Sequence, residues 1–207
     1  MKVKIRRLAL LVVGLGLVGV GVIIFSLGQI DDIGTTSSAV NFFKQLPSGE
    51  EPIVKSIITG KQDSSPPVYD IGNYDKFLVV PKMGVAAPIL EGGIERLAEG
   101  IWLLPGTSTP DQGGNTVITA HRWKYKPPDP RTFYNIDKMK MGDVITLKWQ
   151  GKKYYYQVFS VFMVTPDQTE ILYPTKDPIL TLFSCAPLYE TTFRQVVKAK
   201  LIKTEEI

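Results

Sequence analysis

Hydrophobic and polar residues alternate in short runs from about residue 73 to the C-terminus, and Gly, Pro and Asp residues separate the runs. Val197, Ala199 and Leu201, for example, alternate with Lys198 and Lys200. A period of two is typical of a strand with one buried face. The pattern predicts strands over residues 77–80, 116–121, 144–149, 153–164, 179–185 and 193–203, with one helical turn over 95–98.

These elements predict a mostly β fold with few helices. About 130 residues of short, closely spaced strands are typical of a barrel or a sandwich, and they are enough to bury a hydrophobic core. Residues 73–207 are therefore expected to form one domain.

A different pattern precedes this domain. Residues 8–27 form an apolar run of 20 residues without a charge. As a helix, this run would span about 30 Å, the thickness of the hydrocarbon core of a bilayer. Four basic residues stand before it, so the positive-inside rule predicts residues 1–7 in the cytoplasm and the rest outside. A cleaved signal peptide is the alternative, although the run exceeds the usual signal core of 7–15 residues.

Residues 28–72 are rich in Ser, Thr, Gly and Pro, which is typical of a linker. The sequence thus predicts a cytoplasmic stub (1–7), a transmembrane anchor (8–27), an extracytoplasmic stalk (28–72) and a β domain (73–207).

The net charge of +4 comes from the N-terminus. Four of the 24 basic residues precede the apolar run, which leaves 20 basic and 20 acidic residues in the remainder. A neutral body argues against a nucleic-acid-binding surface. With one Cys and one His, the chain excludes an internal disulfide and a Cys/His zinc cage.

The single cysteine and the single histidine each end a predicted strand. Cys185 ends the strand 179–185 and His121 ends the strand 116–121, so both are expected at a rim where sites are commonly built. Acyl transfer needs a thiolate, a proton donor and a charge that stabilises the oxyanion. Arg194, nine residues after Cys185, would lie beside the thiol if the two segments formed a hairpin.

Residue types alone leave a simpler interpretation open. A lone cysteine is commonly a buried hydrophobic residue, a lone histidine a surface or core residue, and Arg194 a surface cation. Arg122 and Arg131 are closer to His121 in sequence and are expected to be solvated or structural.

The motifs around these residues resemble the sortase family. Thr181-Leu182-Phe183-Ser184-Cys185 followed by Arg194 resembles the T-L-x-T-C signature with an Arg on the next strand, and Thr119-Ala120-His121-Arg122 resembles the family's histidine motif T/A-G-H-R. Further segments agree in order over residues 76–203: 79–85, 100–102, 105–107 and 133–142.

This resemblance implies a closed β-barrel of about eight strands and a membrane-anchored cysteine transpeptidase. Cys185 would attack a sorting signal, His121 would protonate the leaving amine, and Arg194 would stabilise the oxyanion. Thr181, Ser184 and Ala120 beside them are expected to contact substrate, with Ala120 in place of the commoner Gly crowding the site slightly.

The resemblance also implies partners. These are secreted or surface proteins with an LPxTG-like sorting signal, and an amine from peptidoglycan or a pilin lysine. No metal or organic cofactor is implied; some sortases are stimulated by calcium, but the sequence has no acidic cluster that indicates it. Pro187 and the nine-residue step from Cys185 to Arg194 resemble the pilin-type and housekeeping subclasses, but no Asp-Pro-aromatic lid motif is found, so the subclass stays open.

Two alternatives remain. An L,D-transpeptidase also places its His before its Cys, but that family has Ser-x-Gly-Cys, which Ser184-Cys185-Ala186-Pro187 does not match. A membrane-anchored barrel that only binds peptides would keep its function without Cys185.

Overall fold

The computed structural model describes residues 73–207, and all six predicted strands are present in it. Eight strands occur in this range: β1 (Lys76–Val80), β2 (Val85–Leu90), β3 (Ile101–Leu103), β4 (Asn115–Thr119), β5 (Val144–Trp149), β6 (Lys152–Val164), β7 (Ile179–Ala186) and β8 (Phe193–Glu206). Four 3₁₀ helices connect them: Pro81–Met83, Ile94–Ala98, Ile136–Lys138 and Thr169–Leu172.

The strands close into a barrel in the order β1-β2-β3-β4-β7-β8-β6-β5. Neighbours are antiparallel except β2 with β3 and β4 with β7, which are parallel. The expectation of a mostly β, closed eight-stranded barrel with short helices is confirmed. The predicted helical turn over 95–98 lies within the 3₁₀ helix Ile94–Ala98.

The strand prediction missed β2 and β3. The sequence of β2, Val-Ala-Ala-Pro-Ile-Leu, contains two alanines and a proline, which are all uncommon in strands. Its burial nevertheless alternates, and it pairs with β1 on one side and β3 on the other. β3 has three residues, all buried, and is too short to show a period.

Side chains on the two faces of the barrel wall form two clusters. The larger one draws residues from all eight strands, among them Leu182 and Val197, and therefore fills the interior. Phe183 and Val196, the neighbours of these two in sequence, belong to the smaller cluster. Because successive residues of a strand point to opposite faces, the smaller cluster lies on the outer face.

Two 3₁₀ helices cover this outer cluster. Leu97 of Ile94–Ala98 and Ile171 and Leu172 of Thr169–Leu172 pack in it. These two helices thus flank the outer face of β4, β7 and β8.

The predicted stub (1–7), anchor (8–27) and stalk (28–72) lie outside the described residues. No helix within residues 73–207 is long and apolar enough to cross a membrane.

Candidate active site

Cys185 and Arg194 are register partners on the antiparallel strands β7 and β8. Directly opposite residues project to the same face with their Cβ atoms about 5 Å apart. Both follow the parity of Phe183 and Val196, so they lie on the outer face next to the smaller hydrophobic cluster. The hairpin expected from the sequence is present and brings the guanidinium beside the half-buried thiol.

His121 follows the end of β4. The parallel ladder between β4 and β7 ends with the pair Thr119–Phe183. Two residues further along each chain are His121 and Cys185, so continuation of the register aligns them. Cys185 and Arg194 are thus paired in the structure, and the register places His121 at the same carboxyl end of the β4–β7 pair as Cys185.

Side-chain hydrogen bonds join β4 and β7 where the backbone ladder between them ends. Thr119 Oγ1 donates to the carbonyl oxygen of Phe183 at 2.8 Å, and Ser184 Oγ donates to that of Ala120 at 2.7 Å. Arg122 Nη1 donates to that of Cys185 at 3.2 Å. These three bonds lie on both sides of His121 in sequence.

The electrostatics at His121 favour the neutral imidazole. Burial, and the charge of Lys124 as a second cause, lower the pKa of His121 to about 4. At neutral pH the ring therefore has a nitrogen lone pair that can accept a proton from a thiol.

Arg194 is buried, with 1 % of its surface exposed. Its Nη1 donates to the carbonyl oxygens of Thr191 at 2.8 Å and Phe193 at 3.1 Å. Its Nε and Nη2 are buried and have no hydrogen-bond partner within the described residues. Buried N–H groups are nearly always bonded, so two nitrogens of this charged group stand out as donors that the described residues leave without an acceptor.

Arg122 is also buried, with 4 % exposed, but each of its three nitrogens has a partner. Besides the bond to Cys185, its Nε donates to the carbonyl oxygen of Tyr134 at 3.2 Å, and its Nη2 pairs with Asp137 Oδ1 at 2.7 Å. Arg131 pairs with Asp129 at 2.8 Å and lies 3.8 Å from the ring centre of Tyr125. Both arginines are held by contacts within the protein, which agrees with the structural one of the two roles expected for them.

The three predicted substrate contacts lie below the surface. Thr181 is fully buried, and its Oγ1 donates to Asn115 Oδ1 at 2.7 Å. Ser184 is buried and bonded to the carbonyl of Ala120, as described above. Ala120 packs in the interior cluster, away from the outer face, so it does not crowd the site as expected. This geometry supports a role for all three in the barrel wall, and substrate contact stays a prediction.

Asn115 supports the region around the site, and no sequence pattern predicted this role. Its Nδ2 donates to the carbonyl oxygens of Ile171 at 2.9 Å and Tyr173 at 3.0 Å. Through these bonds, Thr181 of β7 and Asn115 of β4 hold the 3₁₀ helix Thr169–Leu172, which flanks the outer face of β4, β7 and β8.

Aromatic residues connect the loops on either side of the site. Tyr189, in the loop between Cys185 and Arg194, has a left-handed backbone with φ +68°. Its ring centre lies 6.0 Å from that of Trp123, two residues after His121, and interaction with the Tyr134 side chain raises the pKa of Tyr189. Neither Trp123 nor Tyr189 is among the residues that the sequence predicted for the site.

Among residues 73–207, no three His, Cys, Asp or Glu side chains are grouped so that they could hold a metal ion.

Comparison with known proteins places this geometry in a family. The sortase domain model matches residues 78–202. Sortase SrtE1 of Streptomyces coelicolor is 30% identical over 156 residues, 67% of this chain and 43% of that protein. Sortase A of Bacillus anthracis is 28% identical over 131 residues, 61% of this chain and 59% of that protein.

Solved structures agree with the sequence matches. The crystal structure of sortase A from Listeria monocytogenes has a TM-score of 0.58 at 26% identity, over 65% of this chain and 90% of that one. The chain spans about two fifths to three fifths of the length of the curated relatives named above. With the family model matched across the barrel and its eight strands in place, this chain belongs to the sortase family.

Proposed function

We propose that this chain is a cysteine transpeptidase that cleaves a sorting signal through a thioacyl-enzyme and transfers the acyl group to an amine. The observation that carries the proposal is the pair formed by Cys185 and Arg194. A buried guanidinium with two unbonded nitrogens, directly across from the thiol, can donate to the oxygen of a carbonyl under attack.

In the first step, the Cys185 sulfur attacks the carbonyl carbon of the scissile peptide bond while neutral His121 accepts the thiol proton. The tetrahedral oxyanion forms beside Arg194, whose N–H groups stabilise it. The C–N bond then breaks, His121 returns the proton to the leaving amine, and a thioester remains on Cys185.

In the second step, an acceptor amine attacks the thioester. His121 takes the proton that the amine loses, a new amide bond forms, and the C–S bond breaks to release the Cys185 thiolate. Proton transfer from His121 restores the thiol. The two steps together thus return the three side chains to their starting protonation.

The substrates we propose are secreted or surface proteins with an LPxTG-like sorting signal, and the acceptor is a peptidoglycan amine or a pilin lysine. Their attachment would anchor proteins to the cell wall or join pilins. The chain would be held in the cell membrane by residues 8–27, with residues 1–7 in the cytoplasm and the barrel outside. No nucleic acid or cofactor has a part in this function.

The full-length protein, purified in mild detergent, would be incubated with a panel of LPxTG-like and LAxTG-like peptides, with and without an amine acceptor. Intact-mass analysis is expected to show an acyl adduct on Cys185 that the acceptor converts to a new amide product. The matched control is Cys185→Ala, which should give neither species while keeping the fold.

Two outcomes would contradict the proposal. Product formed equally by Cys185→Ala would exclude a thioacyl-enzyme. Peptide binding without any adduct, in folded protein whose thiol reacts with iodoacetamide, would instead favour a peptide-binding module.

A further inference from the structure

We propose that Arg122, supported by Asp137, is a positioning residue that fixes Cys185 relative to His121. The inference deepens the proposed function and rests on it, since it assigns how the thiol and the imidazole are kept in register. Arg122 would touch neither substrate nor the reacting atoms, and it would act through the backbone carbonyl of Cys185.

The first argument is the end of the backbone ladder. Between β4 and β7 the register pairs end at Thr119–Phe183, so no strand pair fixes the distance from His121 to Cys185. Hydrogen bonds from Thr119 and Ser184 join the β4 segment to β7 before His121, and the hydrogen bond from Arg122 joins the same two segments immediately after it. Arg122 thus adds a bond to β7 on the side of His121 that lies beyond the ladder.

The second argument is how completely Arg122 is held. Its three nitrogens contact two separate segments: the carbonyl oxygen of Tyr134 and the carboxylate of Asp137 belong to residues 134–137, where Asp137 lies in the 3₁₀ helix Ile136–Lys138, and the carbonyl oxygen of Cys185 belongs to β7. A planar guanidinium bonded at all three nitrogens has a single orientation, because its donors form a rigid fork. The Cys185 carbonyl is therefore bonded to a fixed group.

Charge explains the role of Asp137. A buried cation is costly unless an opposite charge compensates it. Asp137 supplies that charge at 2.7 Å from Nη2 while its own side chain is 56% exposed. It can thus keep Arg122 charged and oriented without entering the site.

The same loop offers a matched control in Arg131. It too pairs with an aspartate, Asp129, at 2.8 Å, and it also packs against an aromatic ring, that of Tyr125. Its guanidinium donates to both carboxylate oxygens of Asp129, within the same loop. Loss of Arg131 should therefore perturb the loop without changing the register of His121 and Cys185.

The test compares Arg122→Gln, Arg122→Lys, Asp137→Asn and Arg131→Gln in the full-length protein. It has two readouts that need no peptide. One is the rate constant for alkylation of Cys185 by iodoacetamide, and the other is the NMR signal of the imidazole of His121, which is unique because the chain has one histidine. The melting temperature of each variant monitors folding, and single-turnover acylation by a reactive sorting peptide is the third readout.

For Arg122→Gln we expect the alkylation rate constant to change by about threefold or more, since thiol reactivity depends on its surroundings, and the imidazole signal to shift or broaden. Misplacement of this kind should lower kcat by about 10- to 30-fold with KM within about twofold. Arg122→Lys keeps the charge but not the forked arrangement of donors. Its alkylation rate constant and kcat should therefore lie between those of Arg122→Gln and the unaltered protein. Asp137→Asn should change the alkylation rate constant, the imidazole signal and kcat in the same direction as Arg122→Gln.

Arg131→Gln should match the unaltered protein in both peptide-free readouts. If Arg122→Gln also matches it, or if both arginine variants change equally, the positioning role is overturned. If the peptide-free readouts respond to Arg122 as expected while no peptide acylates the unaltered protein, the positioning role stands and the proposed transpeptidation fails.

Discussion

Cys185 and Arg194 are directly opposite each other on β7 and β8, with the thiol half-buried and the guanidinium almost fully buried. Two nitrogens of Arg194 have no hydrogen-bond partner within residues 73–207, and none of the ion pairs in this range includes it. A folded protein gains nothing from such a group on stability grounds, since an uncompensated buried charge is destabilising. An oxyanion bound beside Arg194 would supply both the missing hydrogen-bond acceptor and the compensating negative charge.

Arg194→Met should separate stability from activity. Methionine fills a similar volume without buried donors, so we expect unfolding free energy to be unchanged or to increase by about 1–4 kcal/mol. The acylation rate constant should fall by about 10²- to 10³-fold, as when an oxyanion donor is removed. Thermal denaturation and single-turnover acylation would measure the two effects.

Arg122→Met is the matched control for this prediction. Each of the three nitrogens of Arg122 has a partner, so its loss should destabilise the protein, and activity should fall far less than in Arg194→Met. Equal losses of activity in the two variants would contradict the assignment of Arg194 as the oxyanion partner.

His121 predicts a dependence of stability on pH. Burial lowers its pKa in the folded protein from 6.5 to about 4, so between these values the unfolded chain binds more protons and stability falls as pH falls. The loss at pH 5 relative to pH 8 should be about 2 kcal/mol from this group. His121→Gln should remove that part of the loss, so that its melting temperature relative to the unaltered protein rises at pH 5.

The same pKa can be read directly. An NMR titration of the single imidazole should give a midpoint near pH 4 in the folded protein and near 6.5 after unfolding. A folded-state midpoint near 6.5 would show that burial does not lower the pKa of His121, and the predicted loss of stability between pH 8 and pH 5 would then be absent.

The sequence was sufficient to predict the strands β7 and β8 around the site, but not the contacts that hold the site residues in place. Alternation identified β7 and β8, and the spacing of Cys185 and Arg194 predicted their pairing correctly because a hairpin is a local structure. β2 was missed because tertiary packing overrides the low strand propensity of its alanines and Pro88.

Long-range contacts account for the other differences. Arg122 is buried because Asp137 and Tyr134, 12 to 15 residues later, fold back onto it, and no local pattern marks such a return. Likewise, the pKa of His121 depends on burial by several segments. The sequence predicted the residue types of the site, and the tertiary structure determined their protonation and support.

Ser184 and Thr181 allow a last prediction that separates structural support from substrate binding. Both hydroxyls are buried and donate to buried acceptors, Ser184 to the carbonyl of Ala120 and Thr181 to Asn115 Oδ1. Ser184→Ala and Thr181→Val should each leave one acceptor unbonded and cost about 1–3 kcal/mol of unfolding free energy. Measured by urea denaturation, the two losses should be similar, because each variant removes one buried hydrogen bond.

Steady-state kinetics on the same variants would decide between the two roles. If the hydroxyls support the wall, KM for the sorting peptide should stay within about twofold, because no contact that substrate uses has been lost. Thr181→Val should then affect activity less than Ser184→Ala, since Ser184 bonds the residue next to His121, whereas Thr181 acts through Asn115 on a more distant wall. A several-fold rise in KM with unchanged unfolding free energy would instead assign these side chains to substrate recognition, because the hydroxyls would then have to leave their internal acceptors when the peptide binds.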